Sequence, residues 1–230
     1  MDKSIIDIQD VTKRFPVGDT EFTALRNINL KIEKGEFTGL IGPSGSGKTT
    51  LLNLVGALDE PSDGKILISG KNVAAKSDEE SALLRNEHIG FIFQSYNLLP
   101  VYTIFENVEF PLLLQKMGKE ERKKEVMQAL EWVGLADIAN KKPSQISGGQ
   151  AQRVAIARSI VKKPDIVLAD EPTANLDSEN AYKIMDILKK LNEDLGITFL
   201  FSSHDSKVID YLKRIISLED GKVIKDETKR

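Results

Sequence analysis

The chain has 230 residues, 40% of them hydrophobic and 29% charged, with a formal net charge of −3. That length and apolar share suit one α/β domain with a full core and room for a small helical insertion. The slight acidity argues against a broad nucleic-acid surface, and the absence of cysteine excludes a disulfide frame and thiol chemistry.

The amino terminus, Met1-Asp2-Lys3-Ser4, carries no apolar signal core. No stretch reaches the roughly 18 apolar residues of a membrane helix. The expectation is a chain soluble by itself, so that any membrane role needs a partner. Residues 4 to 40 read as strands and turns. Ile6, Ile8 and Val11, then Leu25, Ile28, Leu30 and Ile32, follow a period near two, which predicts a half-buried antiparallel sheet. Phe37 to Ile41 reads as a short buried strand, Thr49 to Leu58 as a helix, and Gly64 to Ile68 as a strand closed by Gly70.

Residues 77 to 142 read as mostly helical. Ser77 and Glu80 have the spacing of a capping box, as do Ser147 and Gln150 at the start of a later helix. Lys119 to Glu131 reads as a solvated helix face. Asp165 to Ala169 is an apolar strand. Ile184, Leu188, Leu191 and Leu195 mark one face of a helix. Ile197 to Ser203 is a further strand ending at His204, and a final hairpin turns at Asp220-Gly221. Alternating strands and helices predict a mainly parallel sheet, with a helical insertion over roughly residues 75 to 160.

Two segments carry chemistry. The first is Gly42-Pro43-Ser44-Gly45-Ser46-Gly47-Lys48-Thr49, followed by Thr50. Its glycines let backbone approach a phosphate without a Cβ in the way. Successive N–H groups and the following helix N-terminus form an anion cradle. Lys48 is placed to reach the β- and γ-phosphates of a nucleotide and Thr49 to bind Mg²⁺. This loop alone does not choose among kinases, GTPases and ATPases. The guanine-reading Asn-Lys-x-Asp is missing, since Asn140-Lys141-Lys142-Pro143 lacks the aspartate. The second segment, Ile166-Val167-Leu168-Ala169-Asp170-Glu171, sets two carboxylates at a strand end, the ligand-binding edge of a parallel sheet. Asp170 would hold Mg²⁺, mostly through water. Glu171 would polarise the attacking water, a role that contributes about 10²–10⁴-fold.

Ile146-Ser147-Gly148-Gly149-Gln150 resembles the signature segment of ABC transporter ATP-binding cassettes, with Ile146 in place of the usual leucine. Gln94, after Phe91-Ile92-Phe93, matches the Q-loop. Asn175-Leu176-Asp177 matches the D-loop, and His204 the switch histidine. The resemblance spans essentially the whole chain, in family order. It implies one cassette over residues 1–230, an α/β fold. That fold has a P-loop NTPase core with a mainly parallel sheet, an N-terminal antiparallel β subdomain and an inserted α-helical subdomain. It implies a Mg²⁺-dependent ATPase coupled to transport. Two copies would pair head to tail, with Ser147, Gly148, Gly149 and Gln150 acting in trans on the other copy's ATP and Asp177 at the D-loop. Gln94 would touch nucleotide and metal. Catalysis would fall to Glu171, His204 and Lys48. Phe15 lies where an aromatic ring stacks on adenine, whereas His88 reads as a surface residue.

Gly90 to Pro100, Glu106-Asn107-Val108 and Ala169 to Asp177 resemble the macrolide-export and lipoprotein-release group. Ala151 and the pair Ser202-Ser203 depart from its common pattern. That likeness implies a permease partner and a place on the inner face of the cell membrane. Tyr96, Leu98, Leu99 and Val101 would either receive the permease or pack inside the helical subdomain. No nucleic-acid partner is expected. Two other readings stay open: a non-transport ABC ATPase, of the iron–sulfur assembly type for instance, and a module that binds ATP without using it.

Overall fold

The computed structural model describes residues 4–73, 77–115 and 117–229. The first three residues and position 75, the expected start of the insertion, lie outside them. Two long strands, β1 (Ser4–Val17) and β2 (Thr20–Glu33), pair antiparallel. Their connection is the two-residue turn Gly18-Asp19, where Gly18 takes φ 58°, a backbone setting that a side chain resists. Ile6, Ile8, Val11, Leu25, Ile28, Leu30 and Ile32 are all buried, as their spacing requires. β4 (Asp63–Ile68) joins the other edge of β1, and β5 (Lys71–Asn72) completes this antiparallel sheet.

A second sheet runs in the order β10-β9-β3-β8-β7-β6. Its members are β3 (Phe37–Ile41), β6 (Ile89–Ile92), β7 (Ile166–Asp170), β8 (Thr198–Ser203), β9 (Arg214–Glu219) and β10 (Lys222–Thr228). All pair in parallel except the edge strand β10. The whole of β8 is buried, and its two-residue period divides two cores. Phe199 and Phe201 pack with Phe37 on one face, the Phe37 and Phe201 rings 4.6 Å apart. That core also takes side chains from α3 (Ile104–Glu109), α4 (Lys119–Trp132), α5 (Gly148–Ile160), α6 (Ser178–Leu195) and α7 (Ser206–Tyr211). Leu200 and Leu168 point to the other face. There they join Leu51 and Leu54 of α1 (Lys48–Val55), Leu84 of α2 (Asp78–His88) and the antiparallel sheet. Each such leucine contributes about 1.5–3 kcal/mol by leaving water. The consequence for the site is that β3, β7 and β8 are clamped from both sides and end at one edge in a fixed register.

Three expectations shift, and one strand is added. The helix after the phosphate loop stops at Val55, because Gly56 and Ala57 turn the chain and Ala57 takes φ 51°. The stretch 77 to 142 is mostly helical, with one strand that was not expected: Ile89–Ile92 forms β6 against β7. A four-residue apolar run is too short to show its period. Ile184, Leu188 and Leu191 are buried but Leu195 is 39% exposed, since α6 ends there at left-handed Gly196. His88 is no free surface residue; its Nδ1 lies 2.7 Å from Asp165 Oδ2 and ties the end of α2 to the turn before β7. The capping boxes at Ser77 and Ser147 are both formed. Among the described residues no helix is long and apolar enough to cross a membrane.

Candidate functional site

β3 ends at Ile41 and the chain wraps through the phosphate loop into α1. Gly42, Gly45 and Gly47 take φ 155°, 79° and 103°. A Cβ on Gly42 would stand 2.1 Å from the Leu218 carbonyl oxygen, and one on Gly47 2.9 Å from that of Ala24. Glycine is therefore required at both by space as well as by φ. Lys48 is buried, and its ammonium donates to the carbonyls of Gly42 at 2.8 Å and Pro43 at 2.9 Å. The cation is held against the backbone of the loop itself. Thr49 Oγ1 donates to Asp170 Oδ1 at 3.2 Å, so the two expected metal-side oxygens meet across 121 residues of sequence. Hard oxygen donors of this kind suit Mg²⁺.

One residue beyond Asp170, Glu171 turns into the left-handed region at φ 45°. Such a setting costs a side-chain-bearing residue about 1–3 kcal/mol and marks functional sites. It is held by the Glu171 N–H, which donates to the Ser202 carbonyl at 2.9 Å. The carboxylate is 14% exposed. Its Oε1 accepts from His204 Nδ1 at 2.6 Å and its Oε2 from Ser203 Oγ at 3.2 Å.

These groups open on a cleft of about 550 Å³. Of the residues expected there, Phe15, Pro43, Ser44, Gly45, Gly47, Lys48, Thr49, Thr50, Gln94, Glu171 and His204 line it. Gly42, Ser46 and Asp170 belong to the same loop and strand end without lining it. Phe15 is not a core residue. Lys13 Nζ stands 4.9 Å over its ring, and Phe22, which the motifs did not mark, faces it across the hairpin. Counting back from the Gly18-Asp19 turn would have paired these two rings. Ala24 and Ser202 also line the cleft unannounced by any motif.

Ser147, Gly148, Gly149 and Gln150 are elsewhere. Ser147 Oγ accepts from the Gln150 N–H at 3.3 Å, and Gln150 Oε1 accepts from the Ser147 N–H at 2.9 Å. Gly149 borders a separate groove with Arg153 and Lys183, and none of the four lines the nucleotide-sized cleft. Asp177 caps α6 by accepting from the Asn180 N–H at 2.9 Å. That backbone hydrogen bond holds its carboxyl below the usual carboxylate range. Asn175 Nδ2 donates to the Gln94 carbonyl at 2.8 Å, joining D-loop to Q-loop. Arg158 of α5 donates to the carbonyls of Tyr96 at 2.7 Å and Asn97 at 2.6 Å, both in left-handed backbone. The segment after Gln94 is thus pinned to the signature helix.

A second groove, of about 420 Å³, has apolar walls of Phe91, Phe93, Phe110 and Leu114 over Arg85, Arg158 and Lys162. Burial, with Arg85 nearby, pushes the Lys162 ammonium down to about 8. Tyr96, Leu98, Leu99 and Val101 do not line it, and Leu98 packs against the helical core instead. Phe110 and Leu114 bound an apolar run too short for a membrane helix and belong to no motif; they come from a short 3₁₀ segment after α3.

The sequence matches the family model described as ABC transporter over residues 25–174. An uncharacterized ABC transporter ATP-binding protein of Methanocaldococcus jannaschii, MJ0796, is 46% identical over 98% of this chain and 98% of its own. The macrolide export ATP-binding/permease protein MacB of Pasteurella multocida is 44% identical over 98% of this chain, which spans 35% of that protein. A dimeric structure of the MJ0796 cassette in a post-hydrolysis state bound to ADP and Pi superimposes with a TM-score of 0.90 at 45% identity, covering 98% of this chain and 99% of that one. These likenesses do not favour the iron–sulfur assembly reading. With the phosphate loop, Glu171 and His204 on one cleft and Asp170 bonded to Thr49 beside it, the chain belongs to the ABC transporter family as its ATP-binding and ATP-hydrolysing subunit.

Proposed function

We propose that two copies of this chain pair head to tail, each cleft taking one ATP and receiving Ser147, Gly148, Gly149 and Gln150 from the other copy. One observation carries this reading: within a single copy the signature helix start lies outside the cleft that holds Lys48, Glu171 and His204. Its capped N-terminus, with two glycines, suits an anion brought by a partner. The dimeric ADP- and Pi-bound structure of the relative supports it.

In this reading Phe15 stacks on the adenine, with Phe22 beside it. Gly42 to Gly47 surround the phosphates and Lys48 reaches toward the γ-phosphate, exchanging its loop carbonyls for phosphate oxygens. Thr50 borders the phosphates. Thr49, Gln94 and, through water, Asp170 would hold Mg²⁺; when bound, the cation neutralises charge on the β- and γ-phosphates. Glu171 orients water for in-line attack, and His204 moves from Glu171 to the γ-phosphate. Asp177 and Asn175 link this centre to the partner copy. Closure excludes water and strengthens every charged contact inside.

The dimer works on an integral membrane permease at the inner face of the cell membrane, in export or lipoprotein release. The MacB relative, named as an ATP-binding/permease protein, supports that partner. The apolar groove walled by Phe91, Phe93, Phe110 and Leu114 is the place for it, an apolar patch rimmed by charge. The deciding measurement is ATPase rate against protein concentration. A shared site gives a rate that rises faster than linearly while the dimer is weak. Strict proportionality down to concentrations where sedimentation finds only monomer would reject it.

A further inference from the structure

The two serines before His204 point to opposite faces of the sheet. Ser202 lines the nucleotide cleft. Ser203 is buried, 1% exposed, and its hydroxyl meets the carboxylate of Glu171. We propose that Ser203 is the positioning residue for Glu171, fixing the carboxylate's Oε2 so that only Oε1 is exchanged during the reaction.

The hydroxyl has its two roles assigned. Its oxygen accepts from the Asp205 N–H at 3.1 Å, which directs its proton to Glu171 Oε2 at 3.2 Å. Asp205 is itself anchored: its carboxylate accepts from the Lys207 N–H at 3.0 Å and from Thr173 Oγ1 at 3.3 Å. Thr173 is buried and stands two residues past Glu171. The carboxylate is therefore gripped by a closed circuit from β8 through the start of α7 back to the loop that carries it.

The two donors to Glu171 differ in permanence. His204 is 72% exposed, so water competes for its bond. Ser203 is shielded from water, and a bond to a charged acceptor is stronger there. A base that must both hold still and present an oxygen to water needs this division: one oxygen anchored, the other released.

This inference rests on Glu171 being the water-orienting group. The test uses full-length protein carrying Ser203→Ala, Ser203→Thr and Ser203→Val, with Glu171→Gln alongside. Ser203→Ala is expected to lower kcat by about tenfold, the loss of one hydrogen bond to a charged group. KM and fluorescent-nucleotide affinity stay within about twofold. Ser203→Thr restores most of kcat, while Ser203→Val, of the same shape without the hydroxyl, does not. Adding Ser203→Ala to Glu171→Gln brings no further loss in single-turnover cleavage. If Val matches Thr, or if Ala keeps kcat within about threefold, the positioning role is wrong. If Glu171→Gln itself turns over normally, the assignment of Glu171 fails instead, whatever Ser203 does.

Discussion

His204 Nδ1 lies 2.6 Å from Glu171 Oε1, with the histidine at the surface and the carboxylate nearly covered. A surface donor on a buried acid is easily moved, and the acid stays put. Removing the acid's charge therefore separates binding from turnover. Glu171→Gln is expected to bind ATP as the parent does and to lose at least about 100-fold in kcat. It should also accumulate as an ATP-held dimer, which light scattering with and without ATP reads directly. Near-normal turnover in this variant would remove Glu171 from the chemistry.

The phosphate loop gives a graded prediction from its glycines. A Cβ at position 42 meets the Leu218 carbonyl oxygen at 2.1 Å and Ser46 Oγ at 2.8 Å, whereas one at position 45 meets nothing within 4 Å. Both residues have positive φ. Gly45→Ala is expected to lose only the backbone term, about 1 kcal/mol. Gly42→Ala must also displace the end of β9, and the expected loss is about 3 kcal/mol or more. Urea unfolding of the two variants checks the order. Equal losses would show that the loop relaxes freely and that the close approach is unimportant.

Much of this was legible because the motifs are contiguous. Gly42 to Thr49 and Asp170-Glu171 each sit at a strand end, so reading the strand places the group. Alternation in β1 and β2 was visible for the same reason. What stayed hidden depends on register or on contacts between distant elements. Phe22 matters because it faces Phe15 across a turn. Arg158 matters because its guanidinium reaches Tyr96 and Asn97, 62 and 61 residues away. Ser203 shares its face with nothing that announces a role until β8 is laid beside β7. β6 was missed because four residues carry no period of their own.

Lys162 gives a pH prediction whose sign can be fixed. Its ammonium titrates at about 8 in the fold against an ordinary 10.5, through burial and then Arg85. Between those values the unfolded chain holds the extra proton, so stability rises with pH across that window, and the full penalty stands below it. The penalty is on the order of 3 kcal/mol. Its hydrogen bond to the Arg85 carbonyl at 2.6 Å offsets part of that. Lys162→Met is expected to be more stable than the parent at pH 7 by about 1 kcal/mol, after the lost hydrogen bond is counted. The advantage should shrink from pH 8 to pH 10. Urea melts of both proteins at these values test it, and a difference independent of pH would mean that Lys162 is not desolvated.

The last prediction concerns the separation between Ser147 and the cleft. If the signature acts across the dimer, damage to Lys48 and damage to Ser147 fall on different sites of a mixed pair. Lys48→Ala spoils the cleft of its own copy. Ser147→Arg spoils the cleft of its partner, because a long cation replaces the capping hydroxyl at the helix start. Each variant alone should be nearly inactive. In a mixed dimer the copy with intact Lys48 faces the copy with intact Ser147, so one site of two is whole and the other carries both lesions. Mixing the two purified variants with ATP is expected to restore ATPase activity, up to about a quarter of the parent rate at equal amounts, since half the random pairs are mixed and each has one site. If Ser147 served the cleft of its own copy, every site in every pair would carry one lesion, and mixing would restore nothing.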